Sequence, residues 1–414
     1  MVYSQAVTPD NPEILEAKRL NIPLKSYPAA LGDLTRKYKT IAIAGSHGKS
    51  TTTALMALIF MEAGLDPTVI IGTKLKEFGG SPRNGAGRNF RLGKSKYLIV
   101  EADEYKDSFL NYHPQGILVT NVDREHLDHY KNFKNVKKVF LNFMGNLAAG
   151  GVLVLNKDDR PLFSLADKLR NKKILWFSLK DVKRVKQIKK VLKIPGTHNV
   201  SNALGAFNLA RSFGIKEKVI LKALSKYRGA WRRMEYRGNL KSQILNLKTP
   251  VYDDYAHHPT EIKATLNAFK EKYPESILIC VFQPHQSRRL NILFKEFVNA
   301  FNKANVLILL DIYKVSGRDE LSYNIGSCNE NKFRRKTSRT FCNNKIVAKY
   351  SSEELSQAIS KRKSSPKVFY LPHLGKLKQI IQKVLKANKA KKLKAVIVMM
   401  GAGSIVNLTP KLLK

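Results

Sequence analysis

The segment GSHGKST at residues 45–51 combines the residue types that bind nucleotide phosphates. It follows the apolar run TIAIA, which predicts a strand at residues 40–45. It precedes apolar residues at helical spacing, which predict a helix at residues 50–63. Glycines in such a turn let backbone N–H groups approach phosphate oxygens, and the start of the helix adds its positive end. The sequence therefore predicts a phosphate-binding loop, with an ordinary glycine-rich turn as the alternative.

Three side chains at the end of this loop have the chemistry that a nucleoside triphosphate needs. Lys49 offers a positive charge to the β and γ phosphates, and Ser50 or Thr51 offers a hydroxyl to Mg²⁺. The loop is two residues shorter than the usual G-x-x-x-x-G-K-S/T pattern, because Ile43 stands where the first glycine would be.

Acidic residues and a histidine follow two further predicted strands. EADEYKDSF at residues 101–109 follows the apolar run YLIV, and TNVDREHLDHY at residues 120–130 follows GILV. Because the carboxyl ends of parallel strands share one edge with the loop, we expect both segments to converge there. The candidates for a magnesium–nucleotide site are Glu101, Asp103, Glu104, Asp123 and His126. Mg²⁺ needs only one or two carboxylates, so the alternatives are a helix cap or surface charge for each acid and a structural hydrogen bond for the histidine.

The elements that must position these residues are those of an α/β protein. Apolar β-branched runs alternate with helical patterns along the chain, which predicts parallel sheets. A second series of strands begins near Tyr236, and we expect the join between the two series within residues 229–238. The polar residues 329–345 are predicted to form a surface insertion. A length of 414 residues allows two or three domains.

The composition excludes several classes of protein. A hydrophobic fraction of 43% is too high for a disordered chain, and three cysteines cannot build a disulfide framework. No apolar run is long enough to span a membrane and the N-terminus lacks the features of a signal peptide, so we expect a cytoplasmic protein without membrane partners.

The charge is unusual, because 74 Lys and Arg against 32 Asp and Glu give a net charge of +42. The densest basic clusters lie at residues 183–193, 332–339 and 383–394. The first and third have no interleaved aromatic residues, so solvated surfaces are the favoured interpretation and nucleic-acid binding is the alternative.

Nine motifs in a fixed order resemble those of the Mur ligase family. They are AGSHGKSTTT at residue 44, EADEYKDSFL at 101, TNVDREHLDHY at 120, PGTHNVSNALGA at 195, GAWRRME at 229, DDYAHHPTEI at 253, FQPH at 282, DIY at 311 and GAGSI at 401. The set spans nearly the whole chain, so it is far more specific than any one motif.

The resemblance implies a central P-loop ATPase domain with a parallel-rich sheet, followed by a Rossmann-like C-terminal domain. Residues 1–39 are similar to the last strand and helix of the family's N-terminal UDP-sugar-binding domain, and we expect them to be a remnant of it. The expected boundaries are 40–233 for the central ATP-binding domain and 234–414 for the C-terminal domain.

The resemblance also implies an ATP-dependent amide ligase of peptidoglycan precursor synthesis, with ATP and Mg²⁺ as cofactors. ATP would phosphorylate the lactoyl carboxylate of UDP-N-acetylmuramate, and the amine of L-alanine would displace the phosphate. One alternative is a related ligase that attaches a tripeptide to the same sugar nucleotide. Another is an inactive ATP-binding fragment with affinity for nucleic acid.

By motif match, the central domain would hold the nucleotide and its metal. The triphosphate contacts would come from Gly45, Ser46, His47, Gly48, Lys49, Ser50 and Thr51. Magnesium would be held by Ser50, Glu101 and His126, and adenine would contact His198, Asn199 and Asn202. A polar helix start is the alternative for this last group.

The remaining contacts would come from the join and the C-terminal domain. Arg232 or Arg233 would reach phosphate, Asp254 would meet the ribose, and His257 would lie near the nucleotide. His285 and Arg289 would face the substrate carboxylates and, with Lys49 and His126, make up the predicted catalytic set. The alternative is a basic surface patch for Arg232 and Arg233 and an acidic turn residue for Asp254. For His257 it is a cap of the helix that begins at Pro259, and for His285 and Arg289 it is a loop surface.

Two further points of the family pattern are not matched clearly by this sequence. Gln286 follows FQPH where the resemblance predicts an arginine, which bears on amino-acid recognition. Some relatives carry a carbamylated lysine near the metal; Lys137 and Lys138 are candidates here, and a solvated helix face is the favoured interpretation.

Overall fold

A computed structural model of the chain describes residues 1–79, 87–240, 248–315, 350–389 and 394–413. They form two compact units, Met1–Trp231 and Arg232–Lys414. The predicted insertion at residues 329–345 and the basic cluster at residues 332–339 lie outside the described residues.

The first unit begins with a small parallel βαβ element and continues as an alternating α/β chain. Its strands are β1 (Val2–Tyr3), β2 (Lys25–Ser26), β3 (Lys39–Ala44), β4 (Thr68–Leu75), β5 (Arg88–Arg91), β6 (Tyr97–Glu101), β7 (Gly116–Val119), β8 (Val152–Asn156) and β9 (Lys173–Phe177). Its helices are α1 (Pro12–Arg19), α2 (Tyr27–Lys37), α3 (Lys49–Glu62), α4 (Leu127–Tyr130), α5 (Phe133–Gly145), α6 (Arg160–Ala166), α7 (Val182–Val191), α8 (Thr197–Ser212) and α9 (Glu217–Lys226).

Seven strands form the main sheet of this unit in the order β5-β4-β6-β3-β7-β8-β9. All neighbours are parallel except β4 and β5. In register, Ile41 of β3 lies between Ile99 of β6 and Gly116 of β7. The central strands are apolar on both faces because helices cover both sides of the sheet. The carboxyl ends of β3, β6 and β7 therefore lie side by side at one edge.

The two faces of this sheet bury separate apolar clusters. Ile41 and Ile43 pack with α3, α8 and α9 on one face. Ala42 and Ala44 pack with α5 on the other. Residues 50–60 of α3 are buried on every side, because the sheet lies below the helix while α8 and α9 cover it. A helix held this firmly fixes the position of the loop that precedes it.

The second unit contains a six-stranded sheet in the order β10-β11-β15-β12-β13-β14. Its strands are β10 (Glu235–Leu240), β11 (Thr249–Asp254), β12 (Ile277–Phe282), β13 (Val306–Leu310), β14 (Lys367–Leu371) and β15 (Ala395–Met400). Its helices are α10 (Pro259–Lys272), α11 (Ser287–Ile292), α12 (Phe294–Val298), α13 (Ser352–Ser360), α14 (Leu377–Lys389) and α15 (Thr409–Leu413). Only β10, at the edge, runs antiparallel to its neighbour among these described strands.

The predicted α/β class is confirmed in both units. The strand predicted at residues 40–45 is Lys39–Ala44, and the helix predicted at residues 50–63 is Lys49–Glu62. The second series of strands begins with β10, near Tyr236 as expected. The exposed strand β5 was not predicted, because its sequence RNFR has no apolar run.

The first basic cluster forms α7, whose Lys183, Lys186, Lys189 and Lys190 are exposed, in agreement with a solvated face. Among the described residues, every helix is too short or too polar to cross a membrane.

Candidate functional site

The loop between β3 and α3 depends on two glycines. Gly45 has φ 135° and Gly48 has φ 85°, backbone conformations that L-residues rarely adopt. A Cβ on Gly45 would lie 2.0 Å from Thr120 Oγ1, and one on Gly48 would lie 2.5 Å from Asn202 Oδ1. The loop can therefore take this shape only with glycine at both positions.

The segment that follows β7 fastens the loop from the side. The His47 N–H donates to Asn121 Oδ1 at 2.9 Å, and Thr120 Oγ1 donates to the His47 carbonyl at 2.6 Å. The Asp123 N–H donates to Ser46 Oγ at 2.8 Å, and His47 Nε2 lies 2.9 Å from Asp123 Oδ2. The role of Thr120 and Asn121 in holding the loop was not predicted, although a polar TN pair directly after a buried strand is a usable signal.

Lys49, the first residue of α3, folds over the loop and contacts a buried carboxylate. Its Nζ lies 2.8 Å from Glu104 Oε2 and donates to the Gly45 carbonyl at 2.6 Å. Burial acts to lower the pKa of Lys49, but the neighbouring Glu104, Asp103 and Glu101 carboxylates outweigh it, so the pKa is raised. Lys49 is thus held firmly in its charged form.

Ser50 and Glu101 form a pair of hard oxygen donors beside this lysine. Ser50 Oγ donates to Glu101 Oε1 at 2.9 Å, and the Gly72 N–H donates to Glu101 Oε2 at 2.7 Å. A hydroxyl and a carboxylate in contact are the protein ligands that Mg²⁺ accepts when phosphates and water complete its shell. The donor set therefore fits magnesium, and both residues are among those predicted for it.

His126 lies beside Glu104. Its Nε2 is 3.6 Å from Glu104 Oε1, and its ring packs against Tyr105 with centroids 4.8 Å apart. Asp103, Glu104 and His126 offer ligand atoms within 4.8 Å of one another. The expected convergence of the segments after β6 and β7 is present. Glu104 contacts both Lys49 and His126; it was among the candidates for the magnesium–nucleotide site, although the ligand set implied by the family resemblance did not include it.

The polar start of α8 lies beside the loop. Asn202 is buried with its Oδ1 next to Gly48, while the Asn199 side-chain amide donates to the Pro195 carbonyl at 2.7 Å. His198 is half-buried on the same helix. The adenine contacts expected from His198, Asn199 and Asn202 stay a prediction, and the structure places Asn202 against the phosphate loop.

Asp254 ends β11 in the second unit and is buried. Its carboxylate accepts from the N–H groups of Met234 at 2.8 Å and Ala256 at 2.9 Å, and from Thr265 Oγ1 at 3.1 Å. Burial raises the pKa of Asp254, and these hydrogen bonds and the charge on Arg233 oppose that shift. This side chain organises the turn after β11; its predicted contact with ribose stays a prediction.

The two arginines of the join have different surroundings within the second unit. Arg232 is buried at φ 56°, and its guanidinium donates to the carbonyls of Gly401 and, at 3.1 Å, Gly403. Arg233 lies 3.9 Å from Glu261 and over the Tyr255 ring at 4.8 Å. Arg232 therefore has its guanidinium hydrogen-bonded to the loop after β15. Arg233 is the more accessible of the two candidates for binding phosphate.

Several aromatic and basic side chains gather where β11 and β12 end. The rings of His257 and His285 lie 5.8 Å apart, and His285 stacks on Tyr313 at 5.6 Å. Arg289 NH1 donates to the His285 carbonyl at 3.2 Å. The predicted residues His257, His285 and Arg289 thus lie together, and His258 is the side chain that caps α10.

Gln286, the departure from the family pattern, occupies a strained position before α11. It is buried, it has φ 69°, and its N–H donates to the Tyr313 carbonyl at 3.0 Å. Left-handed backbone is uncommon for a residue with a Cβ. The surrounding structure, including the hydrogen bond to Tyr313, therefore holds the backbone at Gln286 in this conformation.

Lys137 and Lys138 lie on α5. Lys137 Nζ is 5.5 Å from the centroid of the Phe133 ring, and Lys138 is exposed. Lys138 agrees with a solvated helix face, whereas Lys137 is half-buried.

Three family models match the chain. The Mur ligase middle domain covers residues 43–192, the Mur ligase glutamate ligase domain covers residues 232–403, and the Mur ligase family catalytic domain covers residues 1–39.

The chain is similar to curated proteins named UDP-N-acetylmuramate–L-alanine ligase. It is 42% identical to one from Aquifex aeolicus over 336 residues, which covers 76% of this chain and 71% of the relative. It is 37% identical to one from Caldicellulosiruptor saccharolyticus over 352 residues, with 79% and 73% covered. Among solved structures, the UDP-N-acetylmuramate–alanine ligase of Thermotoga maritima matches with a TM-score of 0.71 at 21% identity, covering 99% of this chain and 83% of that one.

Proposed function

We propose that this chain, which belongs to the Mur ligase family, joins L-alanine to the lactoyl carboxylate of UDP-N-acetylmuramate at the expense of ATP. The observation that carries the proposal is the meeting of Lys49, Ser50 and Glu101 at the loop after β3. The names of the relatives at 37–42% identity support the choice of substrates.

A carboxylate is a poor electrophile, so the reaction needs a leaving group. The γ-phosphoryl group of ATP passes to a carboxylate oxygen of the sugar nucleotide, and ADP leaves. The neutral amine of L-alanine then attacks the carbonyl carbon of the acyl phosphate, an amide bond forms, and the C–O bond to phosphate breaks. The attacking nitrogen loses a proton, and inorganic phosphate is the second product.

The residues of the first unit would carry the phosphoryl-transfer half of this reaction. The N–H groups around Gly48 and the start of α3 would bind the phosphates, and Lys49 would balance the charge on the transferring group. Mg²⁺, when bound, neutralises phosphate charge. Ser50 and Glu101 would hold it, with His126 as a further candidate ligand.

The residues of the second unit would serve the acceptor substrates. His257, His285 and Arg289 lie together at the carboxyl ends of β11 and β12, where α/β sheets bind ligands. A basic and aromatic cluster there suits a substrate with carboxylate groups. Arg233 would supply a further charge for phosphate.

The test is phosphate release from ATP by the purified chain with UDP-N-acetylmuramate and one acceptor at a time: L-alanine, another amino acid, or the tripeptide L-alanyl-D-glutamyl-diaminopimelate. We expect turnover with L-alanine, and none after Lys49→Ala in a protein whose circular dichroism spectrum is unchanged. Turnover only with the tripeptide would replace the proposed acceptor. Full activity of the Lys49→Ala variant would refute the assignment of the phosphate loop.

A further inference from the structure

Glu104 is a carboxylate buried against the phosphate loop, with 1% of its surface exposed. Its two oxygens contact Lys49 Nζ at 2.8 and 3.1 Å. A buried acid next to a site for a triphosphate repels the ligand, so its presence there requires a physical reason.

The ammonium of Lys49 has three protons, and the chain supplies acceptors for them. Besides Glu104, the carbonyl of Gly45 accepts at 2.6 Å, and the carbonyl of Ser46 lies at 3.4 Å. A lysine ammonium has no donors beyond these three. These four oxygens already share the three protons, so a phosphate oxygen that approaches Lys49 competes with them.

The backbone around Glu104 is locked in place by the segment after β7. The hydroxyl of Tyr130 donates to the Glu104 carbonyl and lies 3.1 Å from Asp107 Oδ1. Lys106 and Asp107 are consecutive left-handed residues, with φ 50° and 59°. Conformations of this kind persist only where the surrounding structure enforces them, and they cluster at functional sites. The position of the Glu104 carboxylate is thus imposed by its surroundings.

We propose that Glu104 is a positioning residue that competes with the phosphates of the nucleotide for Lys49 and so sets nucleotide affinity. The inference rests on the proposed function, because it needs a nucleotide in the loop. Before a nucleotide binds, Glu104 neutralises Lys49 and holds it close. When a nucleotide binds, its phosphate takes over one of these contacts, and the carboxylate recaptures the ammonium when the product leaves.

The test measures the affinity of the whole chain for ADP, with EDTA present so that metal binding does not contribute. Glu104→Gln keeps the shape of the side chain and removes its charge, and we expect ADP to bind on the order of tenfold more tightly. Glu104→Asp keeps the charge, and its affinity for ADP should stay within about twofold of that of the wild type. Asp167→Asn makes the same change of charge at a side chain that is 78% exposed and should leave the affinity for ADP unchanged.

Two further variants separate competition for Lys49 from simple repulsion. In a Lys49→Met background, Glu104→Gln should no longer increase the affinity for ADP, because there is no ammonium to release. Tyr130→Phe removes the hydroxyl that donates to the Glu104 carbonyl and should increase the affinity for ADP by a smaller factor than Glu104→Gln. This variant keeps the inference testable if Glu104→Gln does not fold.

The outcomes are distinct from those that test the proposed function. Equal or weaker ADP binding by a folded Glu104→Gln protein would overturn the inference, as would a gain that persists in full without Lys49. A wild-type chain that does not bind ADP at all would instead refute the proposed function, and this inference with it.

Discussion

Replacement of Gly48 by alanine tests the geometry of the phosphate loop directly. Two separate costs are expected, because the position has φ 85° and a Cβ there would lie 2.5 Å from Asn202 Oδ1. Gly64 is a matched control, since it has φ 73° and a Cβ added to it would meet no atom within 4 Å. Gly64→Ala therefore incurs the backbone cost alone.

The magnitudes follow from these two costs. A left-handed residue with a Cβ costs roughly 1–2 kcal/mol. The reduced freedom of the unfolded chain returns about 0.4–1 kcal/mol. Gly64→Ala should thus lower the free energy of unfolding by about 1 kcal/mol. Gly48→Ala adds the displacement of the buried Asn202, an overpacking cost of roughly 1–3 kcal/mol, for a total of about 2–4 kcal/mol.

The assay is thermal unfolding together with the affinity for ADP. A loss of about 2–4 kcal/mol corresponds to a fall in Tm of roughly 4–16 °C for a unit of this size. Gly48→Ala should also abolish ADP binding, whereas Gly64→Ala should not change it. In the double variant Gly48→Ala, Asn202→Ala the overpacking should be relieved while the backbone cost remains, so it should be more stable than Gly48→Ala alone. Equal stability of the two alanine variants, with normal ADP binding by both, would refute the geometry of the loop.

Three further predictions concern other parts of the molecule. Glu101→Ala should raise the magnesium concentration needed for half-maximal activity, and an unchanged magnesium titration would remove Glu101 from the metal site. Burial raises the pKa of Asp253 to about 6, so the folded chain binds more protons than the unfolded chain between about pH 4 and 6 and stability falls as pH rises through that window. Asp253→Asn should remove that slope and gain about 1–3 kcal/mol at pH 7, measured by urea unfolding at several pH values; an identical slope would contradict the assignment. Arg232→Met removes the donors to the Gly401 and Gly403 carbonyls and should cost about 1–3 kcal/mol, while the more accessible Arg233→Met should leave stability within about 0.5 kcal/mol of the wild type.

The α/β class and the phosphate loop were predictable because their signals are local. An apolar run that is buried on both faces identifies β3, and the glycines and Lys49 that follow it identify the loop. The order of the motifs along the chain identified the family. These features depend on residues that are close in sequence, so periodicity and spacing suffice to find them.

The parts that were not predicted depend on contacts between distant residues. The fastening of His47 by Thr120 and Asn121 joins residues more than seventy positions apart. The exposed edge strand β5 is defined by its pairing with β4 and lacks an apolar pattern of its own.

The sequence by itself determined the chemistry available to this protein: a phosphate loop, the acids and histidine that follow two strands, and a basic and aromatic set in the second half. Only the tertiary structure decided how these groups are paired. It brought Lys49 to Glu104, Ser50 to Glu101 and Asn202 to Gly48. The physical reason is that a parallel sheet aligns strand ends that are far apart in sequence. Which side chains then meet depends on the packing of α3 and α8 against that sheet, and no local pattern encodes it.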